Sequence, residues 1–245
     1  MKRALILQHM EHDNAGRFLE FFAEDGIHPD SVRLWEGQSI PDLAPYDLLL
    51  VLGGAMDVWQ EAQHSWMAGE KEAIRDWVLR RARPYLGLCL GHQLLADSLG
   101  GKVELAKRGG EIGVHAVTIN DEGSRHPFFA GLTGTHPVMQ WHFAEVVTPP
   151  AGAHVLATSP ATSIQAIAVG DHALGLQFHA EFTPQTVASW ASLPSYLAGL
   201  DQALGGPGAY DRLTRLAYPL MPGMGAMTRR IYSNLMNAVR LRSAA

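Results

Sequence analysis

The single cysteine of this 245-residue chain, Cys89, stands in Gly87-Leu88-Cys89-Leu90-Gly91-His92-Gln93. The apolar run Pro84-Tyr85-Leu86 precedes it, and the helical pattern Gln93 to Leu99 follows. Glycines two positions to either side let a backbone turn sharply from strand to helix without Cβ clashes, which is how a nucleophile is mounted above the edge of a sheet. At the first turn of a helix a thiol feels the positive end of the dipole, which favours thiolate over thiol. The N–H of Leu90 has no helical partner there and is free to face a developing oxyanion. Taken alone, Cys89 also reads as a buried, inert core residue.

Ninety residues further on, Gly175-Leu176-Gln177-Phe178-His179-Ala180-Glu181 closes an apolar strand. A histidine leaving a strand with a carboxylate two residues later suits a general base oriented by an acid. Alternation puts i and i+2 on one side, so Glu181 reaches the far ring nitrogen of His179. Alone, the pair reads equally well as a surface histidine and a charge capping the helix after Pro184. With the cysteine turn it reads as a Cys89, His179, Glu181 triad. A third element is Val51-Leu52-Gly53-Gly54-Ala55-Met56, where paired glycines at a strand end either make a plain turn or direct the Gly54 N–H into the cleft as a second oxyanion donor. His9-x-x-His12 is the closest histidine pair, and no further ligand nearby completes a metal site. No metal and no cofactor is expected.

These residues need strands to end beside one another. Arg3 to Gln8 reads as a buried strand, Ala15 to Glu24 as a helix capped by Asp13 or Asn14, and Ser31 to Leu34 as a short strand. Asp47 to Leu52 reads as a strand covered on both faces, and Ser65 to Arg83 as a long helix ended by Pro84. After Lys102 the pattern changes to short strands over Val103 to Ala106, Val114 to Ile119, Val155 to Thr158, Ser163 to Val169 and Ala173 to Gln177. The chain closes in helices over Thr186 to Leu200, Ala209 to Tyr218 and Met227 to Leu241, the last two parted by a Pro/Gly-rich stretch. The alternation implies an α/β fold with a doubly wound, mainly parallel sheet and helices on both faces, whose function gathers at the carboxyl ends of the strands.

The three motifs, in this order, resemble the triad-type (class I) glutamine amidotransferases, most closely stand-alone members similar to the glutaminase domain of GMP synthetase. The resemblance covers roughly Met1 to Trp190 and implies a flavodoxin-like domain over 1–190; outside it, 191–245 reads from its helical pattern as a C-terminal extension packed on the same domain. It implies Cys89 as nucleophile, His179 as base, Glu181 as orienting acid, Gly54 and Leu90 as the oxyanion hole, and Gln93 as a substrate contact. Val138 to Val146 is similar to the family stretch that meets the amino-acid end of the substrate, which adds Gln140, Trp141 and His142. Where relatives often carry His-Gly-Asp, this chain has His142-Phe143-Ala144. Glu111-Ile112-Gly113 is also similar to a family strand.

The implied substrate is glutamine or another γ-glutamyl compound. No Walker-type phosphate loop occurs. Two enzyme readings follow: a glutaminase serving a separate synthetase subunit, or a free-standing hydrolase or transferase of γ-glutamyl amines or peptides. A non-catalytic regulatory module is the third reading. The formal charge of −5 argues against a nucleic-acid surface, and no apolar run reaches membrane-spanning length. The start, Met1 to Leu7, is too short an apolar run for a signal peptide, and one cysteine makes no internal disulfide, so the expected setting is the cytoplasm. Near the C-terminus Arg229, Arg230, Arg240 and Arg242 flank Ile231, Leu235, Met236, Val239 and Leu241 in a basic amphipathic helix. It either packs on its own domain or docks to a partner, a second copy making a homodimer among them. Trp59, His64 and Trp66 either rim the pocket, or Trp66 anchors the long helix.

Overall fold

A computed structural model of the chain describes residues 3–242; Met1, Lys2 and residues 243–245, together with the Ser195 and Arg242 side chains, lie outside the description. The strands are β1 (Ala4–Gln8), β2 (Asp30–Arg33), β3 (Leu48–Val51), β4 (Tyr85–Leu88), β5 (Lys102–Leu105), β6 (Glu111–Ile119), β7 (Gly134–His142), β8 (Ala144–Thr148), β9 (Ala153–Thr158), β10 (Ala166–Val169) and β11 (Ala173–Leu176). The helices are α1 (Arg17–Glu24), α2 (Met67–Arg75), α3 (Leu90–Ser98), α4 (Asp121–Arg125), α5 (Pro184–Ala191), α6 (Pro194–Ala203), α7 (Ala209–Ala217) and α8 (Met221–Arg242).

Nine strands form one sheet in the order β2-β1-β3-β4-β11-β10-β9-β6-β7, while β5 and β8 pair separately. From β2 to β11 neighbours run parallel; from β11 outward they run antiparallel. Every residue of β3 and β4 is buried, as two covered faces require, which is why these strands read as continuous apolar runs. One face packs Ile6, Leu50, Leu88 and Leu176 against Phe18 and Phe22 of α1 and Ile231 and Leu235 of α8. The other packs Leu5, Leu7 and Val51 against Ile74 of α2 and Leu94 of α3.

β4 lies between β3 and β11. The turn after β3 carries Gly53-Gly54, the turn after β4 is Cys89, and the segment after β11 leads to His179. Three motifs far apart in sequence therefore leave the sheet side by side at its carboxyl edge.

Several elements differ from the sequence-based expectation. The helix expected over Thr186 to Leu200 is two helices, because Pro194 cannot supply the N–H that continuation requires and instead opens α6. Conversely, α8 begins at Met221 and runs through Pro222, which is tolerated in a first turn where that N–H has no partner. β7 and β8 have no counterpart among the expected strands. Neither Asp13 nor Asn14 caps the first helix: Gly16 stands at the cap position, Asn14 accepts the Gly16 N–H at 2.8 Å, and Asp13 is buried.

Candidate active site

Cys89 has φ 49° and ψ −102°, a left-handed conformation that an L side chain adopts only when its surroundings enforce it. Its N–H donates to Leu176 O at 2.8 Å, and the Gly91 N–H donates to Leu52 O at 3.1 Å, so the neighbouring strands hold both sides of the turn. A Cβ on Gly91 would sit 2.2 Å from Val51 O, and one on Gly87 would sit 2.4 Å from Gly91 O. Both glycines are required for space. The Cys89 Sγ lies 3.6 Å from the Trp141 carbonyl oxygen and accepts from Gln177 Nε2 at 3.7 Å.

His179 comes off β11 with its N–H on Met139 O at 2.9 Å. Its Nδ1 is 2.6 Å from Glu181 Oε1, while Nε2 is buried with no hydrogen-bond partner. A Cβ on Gly53 would meet His179 Cε1 at 3.3 Å, Asp13 Oδ2 at 3.6 Å and Cys89 Cβ at 3.7 Å, so ring, carboxylate and cysteine converge on one point. Burial by itself disfavours the imidazolium, but the charges of Glu181 and Cys89 outweigh it and hold the His179 pKa well above the ordinary histidine value. The ring packs edge-on against Trp190, with centroids 4.7 Å apart.

Above Cys89 lies a 210 Å³ cavity bordered by Gly54, Gln93, Trp141, His142, Phe143 and Tyr196. Among the described residues no hydrogen bond engages the N–H of Gly54 or of Leu90. Gln93 spans the cavity floor, donating to Ala144 O at 3.0 Å and to Gln177 Oε1 at 3.2 Å. His142 is held through Nδ1 to Ala144 O at 2.9 Å and through Nε2 to Glu111 at 3.3 Å.

Of the residues singled out from sequence, Gln140 is not brought to the cavity. Its amide donates to Gln165 Oε1 at 2.7 Å in a buried cluster that also contains Glu111. Trp59 is half exposed, and His64 and Trp66 border a separate surface groove. His12 meets Ser189 Oγ at 3.1 Å, and among the described residues no group of three or more His, Cys, Asp or Glu is arranged to hold a metal.

Four contributors are not among the site residues expected from the sequence. Gln177 reaches the sulfur. Asp13 lies beside His179, with Oδ1 accepting the Trp190 indole N–H at 2.6 Å. Trp190 and Tyr196, from α5 and α6, join Asp13, Trp141, Cys89 and His179 around a second, 10 Å³ space on the imidazole side of the sulfur. No local spacing marks Asp13, Trp190 or Tyr196, which arrive through tertiary packing, whereas Gln177, two residues before His179, shares its side by the alternation that also relates His179 to Glu181.

The glutamine amidotransferase class-I family model matches residues 24–189. A subunit of the glutamine-hydrolyzing GMP synthase from Sulfurisphaera tokodaii is 39% identical over 153 residues, 62% of this chain and 76% of that protein. Gamma-glutamyl peptidase 3 of Arabidopsis thaliana is 27% identical over 173 residues, 69% of this chain and 68% of that protein. Among solved structures, a glutamine amidotransferase from Thermotoga maritima superposes with a TM-score of 0.85 at 27% identity, covering 96% of this chain and 97% of its own.

Proposed function

The chain belongs to the class I glutamine amidotransferase family, and from that premise we propose that it hydrolyses the γ-carboxamide of glutamine through a thioester on Cys89. The observation that carries this reading is His179, tied to Glu181 at 2.6 Å through one nitrogen while the other is unpartnered on the Cys89 side. That arrangement suits an imidazole that gives and takes one proton at Nε2.

Cys89 Sγ attacks the side-chain carbonyl carbon, and the carbonyl oxygen takes the negative charge, facing the N–H groups of Gly54 and Leu90. His179 hands its proton to the amide nitrogen, the C–N bond breaks, and ammonia leaves. A water then gives His179 a proton and its oxygen forms the new C–O bond. The C–S bond breaks and glutamate departs. The 210 Å³ cavity receives the glutamyl part, with Gln93, Trp141 and His142 at its wall.

The second reading is a free-standing γ-glutamyl peptide or amine hydrolase, favoured by the likeness to a gamma-glutamyl peptidase. The space beside His179 favours the smaller leaving group. A leaving nitrogen must sit where His179 Nε2 can reach it, and the small space there measures 10 Å³, close to the roughly 10–15 Å³ that holds one water. That size matches ammonia more nearly than an amino acid, with Trp190 and Tyr196 at its wall. Glutamine is therefore the favoured substrate, with a separate synthetase the partner that would use the ammonia. Of the expected extension over 191–245, the described residues 191–242 then act as a helical addition to the same domain, with α6 supplying Tyr196 to the cavity.

Assay of the purified protein separates the readings. Release of ammonia from glutamine, alone or on adding a synthetase, supports the first. Faster turnover of γ-glutamyl dipeptides with no partner present supports the second, and inertness toward both contradicts the enzyme reading.

A further inference from the structure

The chemistry above makes no use of His9, the residue after β1, or of Glu70 on α2, yet both are completely buried. The imidazole lies between two acceptors. Nδ1 donates to Gly53 O at 2.8 Å, and Nε2 donates to Glu70 Oε1 at 2.9 Å. Each ring nitrogen faces an oxygen that can only accept, so both carry protons; burial disfavours the charged ring, but Glu70, with smaller help from Gly53 O and Asp13, raises its pKa. Trp66 stacks on the ring at 5.1 Å.

Gly53 O is one end of a peptide unit whose other end is the Gly54 N–H. In a trans peptide the two point in opposite directions, and no described peptide is cis. Drawing the carbonyl toward His9 turns the N–H away from His9, and Gly54 borders the cavity over Cys89. Two successive glycines offer no side chain to resist rotation of the unit. A Cβ on Gly54 would lie 3.0 Å from Leu90 Cδ2 and 3.1 Å from His9 Cβ, so the unit is also held between His9 and the residue carrying the other free donor.

We propose that Glu70 and His9 are positioning residues that clamp the Gly53-Gly54 peptide so that its N–H faces the oxyanion. The inference rests on the donor role given to Gly54 above.

The test exploits side-chain geometry. An Asn amide can place a donor where Nδ1 stands, and a Gln amide where Nε2 stands. His9→Asn and His9→Gln are made on a Glu70→Gln background, so that neither leaves a buried carboxylate unpaired. Glu70→Gln alone keeps an oxygen acceptor for Nε2 but gives up the charge, so kcat should fall by no more than about tenfold, the difference between a charged and a neutral hydrogen-bond partner. This variant is the reference against which the two double variants are read. His9→Asn should keep kcat within about tenfold, whereas His9→Gln should lose on the order of 100-fold, the cost of a misplaced oxyanion donor. KM should move less than about threefold, because the contact matters in the transition state. Alkylation of Cys89 by iodoacetamide, which forms no oxyanion, should be unchanged. Equal loss in the Asn and Gln variants, or a loss seen in alkylation, overturns the proposal. Crystal structures of the two variants judge it independently of turnover: the Gly53 carbonyl should rotate in the Gln variant and stay in the Asn variant. If the wild type is inert toward glutamine while the carbonyl behaves this way, it is the proposed function that has failed; an unmoved carbonyl in the Gln variant overturns the clamp itself.

Discussion

Gly16 and Glu181 meet backbone to backbone: a Cβ on Gly16 would lie 2.1 Å from the Glu181 carbonyl oxygen, the same oxygen that accepts the Arg17 N–H at 3.0 Å. The N-terminus of α1 thus fixes the residue whose side chain orients His179. The missing cap side chain of α1 is the consequence, since only glycine fits there at φ 45°. Gly16→Ala should cost about 1–3 kcal/mol of stability and lower kcat/KM at least tenfold. Gly26→Ala is the control, because Gly26 has φ 66° and nothing within 4 Å. It should lose stability through backbone strain alone and keep its activity, as thermal melts and steady-state rates will show.

The pH profile should report the His179 environment. Burial opposes its charge, but Glu181 and Cys89 raise its pKa well above 6.5. The imidazolium that protonates departing ammonia in the proposed reaction therefore persists past neutrality, and the alkaline fall of kcat/KM is expected to mark its loss. Glu181→Gln removes the largest favourable charge, so that fall should move to lower pH. Stability follows the same sign. With a folded pKa above the unfolded one, the pair contributes fully below about pH 6.5 and loses its contribution as pH rises through the folded pKa. The variant should therefore be less stable at acid and neutral pH, with the gap narrowing at high pH. An alkaline limb that stays in place contradicts the assignment.

Asp13 should trade stability against function. Burial is the main cause that raises its pKa, partly offset by His179 and the Trp190 hydrogen bond. The unfolded state therefore gives up its proton first as pH rises, so the ionised carboxylate costs stability above the unfolded value of about 3.9. Asp13→Asn keeps an acceptor for the indole and should melt at a higher temperature than wild type at neutral pH, with no gain below about pH 4. Melting curves across that range decide it.

Gln177 donates to the Cys89 sulfur and accepts from Gln93. Gln177→Leu removes a donor from the proposed nucleophile and leaves the Gln93 amide with Ala144 O as its one remaining acceptor among the described residues. A hydrogen bond to a charged group contributes about 1.5–3 kcal/mol, so kcat/KM should fall roughly 10- to 100-fold. Iodoacetamide labelling of Cys89 should change in parallel. Unchanged rates would show the contact to be incidental.

What is legible in sequence is what is local. Gly87-x-Cys89-x-Gly91 makes its turn within five residues, and His179 reaches Glu181 across one intervening residue, so spacing alone conveys their geometry. The parallel strands announce themselves because both faces are covered. Asp13, Trp190 and Tyr196 are silent, since their meeting depends on how α5 and α6 return over the sheet edge. Gln140 misleads for a related reason: its place in a resembling segment says nothing of side-chain direction, and Gln165 offers it a buried partner. The two prolines mislead in opposite senses. Apolar periodicity runs straight across Pro194, where the helix in fact restarts, whereas Pro222 looks like a break and sits in a first turn that accommodates it. β7 escapes notice because Pro137 interrupts its strand pattern, a position the paired β6 tolerates at the Ala116 register.

Attack of Cys89 on the carboxamide carbon of a γ-glutamyl substrate, with His179 assisting, underlies every step proposed above. Incubation with the glutamine analogue diazo-oxo-norleucine, followed by peptide mass spectrometry, probes that attack without intermediaries. The expected result is one covalent adduct, on Cys89, that excess glutamine prevents and that His179→Ala slows at least tenfold in a protein that still melts cooperatively. An adduct elsewhere, or labelling of Cys89 that neither glutamine nor the loss of His179 affects, would refute the mechanism.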